Sequence, residues 1–134
     1  MQEHEGWLNI AKSDLLAAKA LLKLEFFSQV MYSCQQSAEK ALKGYLAFKN
    51  QEILKTHDLT KLLKTCSTFN SNFDDLYESA KHLNPYSTRF RYPTEFDLPD
   101  LNDTELAIKY AENIFKFVSK KIAESSTGQT NLFT

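Results

Sequence analysis

Apolar residues recur every three or four positions along most of the chain, which is the spacing of amphipathic α-helices. This pattern predicts five helices, at about residues 5–24, 28–49, 58–69, 72–82 and 102–123. The sequence carries no strand signal, and all but one of the predicted connections are short. We therefore predict an all-α protein, an antiparallel four- to five-helix up-and-down bundle.

Polar residues mark the predicted ends of these helices. Ser28 is a candidate N-cap of the second helix, and Asp58 is well placed to cap the third. Asn102, followed three positions later by Glu105, has the spacing of a capping box and predicts the start of the last helix. The periodicity stops near Ala123, so we predict a bundle over residues 1–124 and a disordered C-terminal tail over residues 125–134.

The long connection covers residues 84–100 and differs in composition from the rest of the chain. It holds all three prolines, both arginines and four aromatic residues. Because proline interrupts helices, prolines at positions 85, 93 and 99 exclude a continuous helix here. Long connections in compact domains are often functional, which makes this segment a candidate site.

Composition and charge narrow the class of protein. The 134 residues fit one domain, and 16 basic against 17 acidic residues leave a net charge of −1, which argues against a duplex-DNA binder. No apolar run reaches the roughly 18 residues of a membrane helix, and the N-terminus does not resemble a signal peptide. These features predict a cytoplasmic protein. Cys34 and Cys66 lack metal-type spacing and are interpreted as reduced packing thiols.

Several kinds of catalytic site are absent from the sequence. Three isolated glycines exclude a phosphate-binding loop or a dinucleotide fingerprint, and the hydrolase motif Gly-x-Ser-x-Gly is missing. His4, His57 and His82 are scattered, with no zinc-type pair and no Glu-x-x-His pair of the di-iron kind. We therefore predict no catalytic residues, no metal and no cofactor, and expect that the protein is not an enzyme.

Two clusters could bind a ligand. In the second helix, Gln36, Glu39, Lys40 and Lys43 could form a polar strip across a groove. The alternative is a solvated helix face with one Glu–Lys pair. His57, before the third helix, could act as a general base or have a structural role.

The second cluster lies in the long connection, at Arg89, Arg91 and Tyr92. Arginine's planar guanidinium suits bidentate recognition of phosphate, and an adjacent aromatic ring could stack on a base. The alternative is a loop packed by its own aromatic residues, with the arginines at its rim.

The sequence resembles the HEPN (higher eukaryotes and prokaryotes nucleotide-binding) domain family. The resemblance rests on residues 7–15 (WLNIAKSDL), 32–43 (YSCQQSAEKALK), 56–59 (THDL) and 91–93 (RYP), and it spans about residues 5–123. It implies a helical bundle that forms a homodimer or a higher homo-oligomer. It also implies nucleotide binding and, for many stand-alone members, a minimal nucleotidyltransferase partner in a toxin–antitoxin-like pair.

One branch of that family consists of metal-independent ribonucleases with an Arg-x4-6-His motif. This motif is missing here, because no histidine follows His82 and both arginines come after it. The His-x-Tyr site that a partner transferase modifies in some toxin members is missing too. The resemblance therefore favours a non-catalytic member over a ribonuclease.

We predict a nucleotide- and partner-binding module. Its site residues would be Gln36, Glu39, Lys40, Lys43, His57, Asp58, Arg89, Arg91 and Tyr92, with Lys43, His57 and Arg91 converging on one phosphate-binding groove. The alternatives are a metal-independent ribonuclease toxin and a purely structural homo-oligomerising assembly module. Ten Phe and six Tyr are many for a small core, which favours an exposed apolar patch and hence a homodimer.

Overall fold

The computed structural model describes the backbone of residues 1–88 and 98–132, and side chains up to residue 125. Within these residues the chain is all-α, without strands, so the predicted fold class is confirmed. The five α-helices are α1 (Glu3–Lys23), α2 (Phe27–Phe48), α3 (Leu59–Ser67), α4 (Tyr77–Leu83) and α5 (Leu101–Leu132). Short 3-10 helices, Ser71–Leu76 and Asn84–Ser87, flank α4.

Helix α2 is the centre of the bundle, and most of its residues are buried. Helix α1 folds back along it, where the Ser37 hydroxyl donates to the Ala11 carbonyl oxygen at 2.7 Å. An ion pair between Lys19 and Glu112 at 3.3 Å links α1 to α5. Small residues along α2 allow this close packing, since a Cβ added at Gly44 would lie 3.2 Å from the Cβ of Trp7.

The connection from α2 to α3 carries the chain back along α2. Gln35, in the first half of α2, donates to the carbonyl oxygen of His57, just before α3. At the other end of α3, the thiol of Cys66 lies 3.6 Å from the carbonyl oxygen of Leu42. Helix α3 therefore runs in the same direction as α2, and this return of the chain brings residues 56–58 to the middle of α2.

The core is continuous across all five helices. Phe73 is fully buried between Tyr45 of α2 and Phe117 of α5, with ring centroids 4.4 Å and 4.9 Å away. Cys34 and Cys66 are free and buried, as predicted, and desolvation raises the pKa of each thiol to about 12. No helix in the described part of the chain has the length and apolar character needed to cross a membrane.

The predicted helix starts were right for α3 and wrong for α2. The Asp58 carboxylate caps α3, since it accepts from the amides of Thr60 and Lys61. Ser28 lies inside α2, which begins at Phe27 after a left-handed residue, Glu25 (φ 61°). This turn ends α1, since the amides of Leu24, Glu25 and Phe26 donate to carbonyl oxygens in its last turn, and no side chain caps the start of α2.

The capping box of α5 lies two residues earlier than predicted. The Asp103 amide donates to the Asp100 carboxylate at 2.8 Å, and the Asp100 amide donates to the Asp103 carboxylate at 3.0 Å. Asn102 is exposed in the first turn. Paired aspartates satisfy the two orphan amides as well as the predicted Asn–Glu pair would, and the sequence alone does not distinguish these registers.

The far end of α5 also differs from the sequence prediction. The backbone stays helical to Leu132, whereas the apolar pattern predicted an end near Ala123. Ile122 is the last core residue among those whose side chains are described. The division of the chain into a bundle and a disordered tail at residue 124 stays a prediction.

Candidate functional site

Glu39 is the centre of a buried polar cluster between α2 and the segment before α3. Its side chain is 0% exposed. Its Oε2 accepts from the Nζ atoms of Lys43 at 3.1 Å and Lys40 at 3.2 Å. Its Oε1 lies 2.8 Å from Nδ1 of His57 and accepts from Nε2 of Gln35 at 3.5 Å. These four contacts occupy the roughly four lone-pair positions of a carboxylate.

Helical periodicity and the return of the chain build this cluster together. Gln35, Glu39 and Lys43 are four residues apart on α2, so their side chains lie along one face. The carbonyl oxygen of His57 accepts from Gln35 Nε2 at 3.1 Å, which fixes the backbone next to its ring. Because Asp58 caps α3, the segment before α3 is held at His57 and at Asp58, on both sides of the His57 ring.

Asn84 strengthens the attachment of Asp58 to the start of α3. Its side-chain oxygen accepts from the Leu59 amide at 2.7 Å, and its nitrogen donates to the Asp58 carboxylate at 3.1 Å. The pKa of Asp58 is lowered, first by the Thr60 hydroxyl and further by hydrogen bonds from Lys61 and Asn84. Asp58 thus serves the start of α3, and nothing in its contacts directs it toward a ligand.

The electrostatics of Glu39 favour its charged form. Burial alone would raise the pKa of its carboxyl group, but the hydrogen bonds from His57 and Lys43 and the charges of Lys40 and Lys43 outweigh burial and lower it. Asp14 of α1 belongs to the same electrostatic environment. Desolvation raises the pKa of Asp14, the charge of Lys40 lowers it, and the charge of Glu39 raises it.

The cluster has spare hydrogen-bond donors and no spare acceptor on Glu39. An ammonium group has three N–H donors, and Lys40 and Lys43 each give one to Glu39. The Lys40 side chain is 22% exposed and that of His57 is 70% exposed, so the remaining donors of Lys40 reach the surface, as does Nε2 of His57, which donates when the ring is protonated. A group that binds here must accept hydrogen bonds from cations, which is the chemistry of anion recognition.

Trp7 lies on the same surface, although it is not among the predicted site residues. The Nζ atoms of Lys40 and Lys43 are each 5.9 Å from the centroid of its ring, within the range of cation–π attraction. The apolar pattern assigned Trp7 to the packing stripe of α1. Its partial exposure depends on how α1 is rotated against α2, and the sequence does not reveal that rotation.

The predicted site residues have different outcomes. Glu39, Lys40, Lys43 and His57 lie together, with Glu39 and Lys43 buried, Lys40 partly exposed and His57 exposed. Gln36 is adjacent to the cluster and donates to the side-chain oxygen of Gln35 at 2.7 Å. Gln35 was missed because one of two neighbouring glutamines had to point inward, and the sequence does not indicate which one.

The predicted contribution of the long connection remains a prediction. Arg89, Arg91 and Tyr92 lie outside the described residues. Their convergence with Lys43 and His57 is therefore a hypothesis that mutagenesis must test. Among the residues described, no group of three or more His, Cys, Asp or Glu side chains could hold a metal ion.

Fold and site together define an all-α bundle with a buried, cation-lined carboxylate at its centre. The family model of the HEPN domain matches residues 4–122, so the chain belongs to the HEPN domain family. Comparison with solved structures supports this assignment. The crystal structure of TT1696 from Thermus thermophilus is similar, with 29% identity and a TM-score of 0.81 over 90% of this chain and 99% of that one.

ST0689, described as an archaeal HEPN homologue, is also similar. It shares 26% identity and a TM-score of 0.74, and the match covers 91% of this chain and 99% of that one. None of the curated proteins matches the sequence.

Proposed function

We propose that this HEPN protein is a non-catalytic nucleotide-binding module that acts with a minimal nucleotidyltransferase, as in toxin–antitoxin-like pairs. The observation that carries the nucleotide part is the Glu39 carboxylate, whose acceptor positions are all occupied while its lysine partners keep free N–H donors. A phosphate group would accept hydrogen bonds from Lys40, in part from Lys43, and from His57 when its ring is protonated. The Glu39 carboxylate positions these side chains through its hydrogen bonds with them.

The surroundings of the cluster suit the rest of a nucleotide. Trp7 presents an aromatic ring beside the two lysines, and aromatic rings bind bases by stacking. Arg91 and Tyr92 would add a bidentate phosphate contact and a second ring, if the connection of residues 84–100 folds over this surface. Such a site would hold a phosphate at one end and a base at the other.

The proposal of a non-catalytic role rests on the sequence. Family ribonucleases use an Arg-x4-6-His motif, and this chain has no histidine after His82. If the protein were nevertheless a ribonuclease, the purified protein would cleave RNA in the presence of a metal chelator. We expect no cleavage. Homodimers or higher homo-oligomers are part of the proposal, and light scattering of the purified protein tests them.

Thermal melting with ATP, GTP and their mono- and diphosphates tests nucleotide binding. A ligand present at 100 times its Kd adds about 2.7 kcal/mol of stability, which raises the Tm of a domain of this size by several degrees. Lys40→Met and Arg91→Ala should reduce the shift. Lys109→Met is the matched control, because Lys109 is an exposed lysine on α5, a helix that contributes no residue to the cluster, and this variant should melt like the wild type with and without nucleotide.

Each outcome of this titration has a clear meaning. A nucleotide-dependent shift that Lys40→Met loses and Lys109→Met keeps supports the site. The absence of any shift with all six nucleotides would refute nucleotide binding and favour the structural assembly module. Co-expression with a minimal nucleotidyltransferase, followed by size-exclusion chromatography, tests the partner separately. Separate elution of the two proteins would contradict that part of the proposal.

A further inference from the structure

We propose that His57 is the residue that selects the ligand's phosphate, that it binds a terminal phosphate monoester in its protonated form, and that Glu39 is its positioning residue. This inference rests on the proposed nucleotide site and adds a class of ligand and a proton to it. Two observations support it, the orientation of the imidazole ring and the charges that surround the ring.

The ring of His57 has a defined orientation. Its Nδ1 faces the Glu39 carboxylate at 2.8 Å, and an ionised carboxylate can only accept, so Nδ1 carries a hydrogen. The two ring nitrogens of imidazole point in different directions, so Nε2 is directed away from Glu39. The side chain is 70% exposed, which leaves Nε2 accessible from solvent. A buried carboxylate thus orients an exposed imidazole.

The backbone of His57 is fixed as firmly as its ring. Gln35 donates to its carbonyl oxygen at 3.1 Å, and the next residue, Asp58, caps α3. A ligand that meets Nε2 therefore meets a donor that is already in place. A donor that is already held in place binds a ligand more tightly than a mobile one, because binding then does not have to order the side chain.

The surrounding charges make protonation of His57 decisive. The charged groups of the described chain around His57 are Glu39, Lys40 and Lys43 of α2, Asp14 of α1 and the neighbouring Asp58, which caps α3. When all five are ionised, they sum to a single negative charge. A neutral His57 leaves that negative charge uncompensated, whereas a protonated His57 neutralises it and supplies a second N–H donor. An anion should therefore bind the protonated form and take up a proton when it binds.

This charge balance favours a phosphate monoester. A terminal phosphate carries a charge of about −1.5 to −2 at neutral pH, whereas a phosphodiester carries a single charge. The monoester gains more from an added positive charge, because electrostatic attraction scales with the product of the charges. AMP and cyclic AMP form a matched pair of probes, since they share the base and the sugar and differ in the phosphate ester.

Nitrogen-15 NMR of the histidine rings tests the positioning without any ligand. In the free protein we expect His57 to carry its hydrogen on Nδ1 when neutral, while His4 and His82 serve as comparators in the same spectrum. Glu39→Gln should weaken this preference. If that variant does not fold, the wild-type spectrum alone tests the orientation of the ring. A neutral His57 with its hydrogen on Nε2 would overturn the proposal.

Calorimetry with AMP and cyclic AMP tests the ligand class. We expect AMP to bind more tightly than cyclic AMP, with an affinity that falls about tenfold between pH 6.5 and 8, where the phosphate of AMP already carries most of its second charge and histidine ordinarily loses its own. His57→Gln should lose this pH dependence, and AMP should move the Nε2 signal of wild-type His57. If the nucleotides bind with a pH-independent affinity, this inference fails while the proposed function stands. If neither AMP nor cyclic AMP binds, this inference fails, and the melting series with the six nucleotides decides whether the proposed function fails with it.

Discussion

The buried carboxylate of Glu39 offers the sharpest test of the structure. Glu39→Gln keeps the shape of the side chain but removes its charge, and it leaves the ammonium group of Lys43 without a counter-ion where its side chain is only 9% exposed. The matched control is Glu112→Gln on α5. Glu112 also pairs with two lysines, Lys19 and Lys116, but their side chains are 46% and 75% exposed.

The two substitutions should differ widely in their effect. Removing one partner of a buried ion pair costs about 3–5 kcal/mol, because the remaining charge stays desolvated. Exposed ion pairs contribute only about 0–1 kcal/mol, since water screens them. We therefore expect Glu39→Gln to lower the free energy of unfolding by roughly 3 kcal/mol more than Glu112→Gln does.

Urea unfolding at neutral pH, followed by circular dichroism, measures this difference. A double variant, Glu39→Met with Lys43→Met, should recover most of the loss, because apolar residues that replace a buried ion pair leave no unpaired charge. If Glu39→Gln and Glu112→Gln cost the same, or if the double variant is less stable than the single one, the account of the cluster is wrong.

The same variant predicts a pH dependence. The folded-state pKa of Glu39 is lowered, so its ionised form stabilises the folded state at pH values above the ordinary carboxyl pKa of 4.5. This stabilisation is lost as the pH falls from 4.5 through the folded-state pKa. The stability difference between wild type and Glu39→Gln should therefore shrink as the pH falls below about 4.5. A difference that grows as the pH falls below 4.5 would contradict the assignment.

Three further predictions concern the helix ends and the thiols. Asp100→Ala should lower the free energy of unfolding by about 1 kcal/mol, whereas Asn102→Ala should leave it nearly unchanged. If urea unfolding shows that Asn102→Ala is the more destabilising of the two, the capping box begins at Asn102, as the sequence predicted. Asp58→Ala should cost about 1–2 kcal/mol in the same assay, through the start of α3, and an unchanged midpoint would argue against this cap. Cys34 and Cys66 should resist a thiol reagent at pH 8 until the protein is unfolded, and rapid modification of the native protein would show that one is accessible.

Much of the fold followed from local patterns in the sequence. The three-to-four residue period identified the long helices, because an amphipathic helix must bury one face whatever its neighbours are. The Asp58 cap was recognisable because a capping side chain bonds to the amides of its own helix. The errors occurred where local signals were equivalent, as for Asn102–Glu105 and Asp100–Asp103, or where a helix begins without any capping side chain, as α2 does just before Ser28.

The sequence by itself determined the fold class, the family resemblance and the residue types at the candidate site. Only the tertiary structure decided that Glu39 is buried and that His57 lies against it. These two residues are 18 positions apart, and they meet because the chain runs back along α2 before α3 begins. Burial and pairing depend on such long-range packing. A helical pattern shows which residues share a face, but it does not show what covers that face.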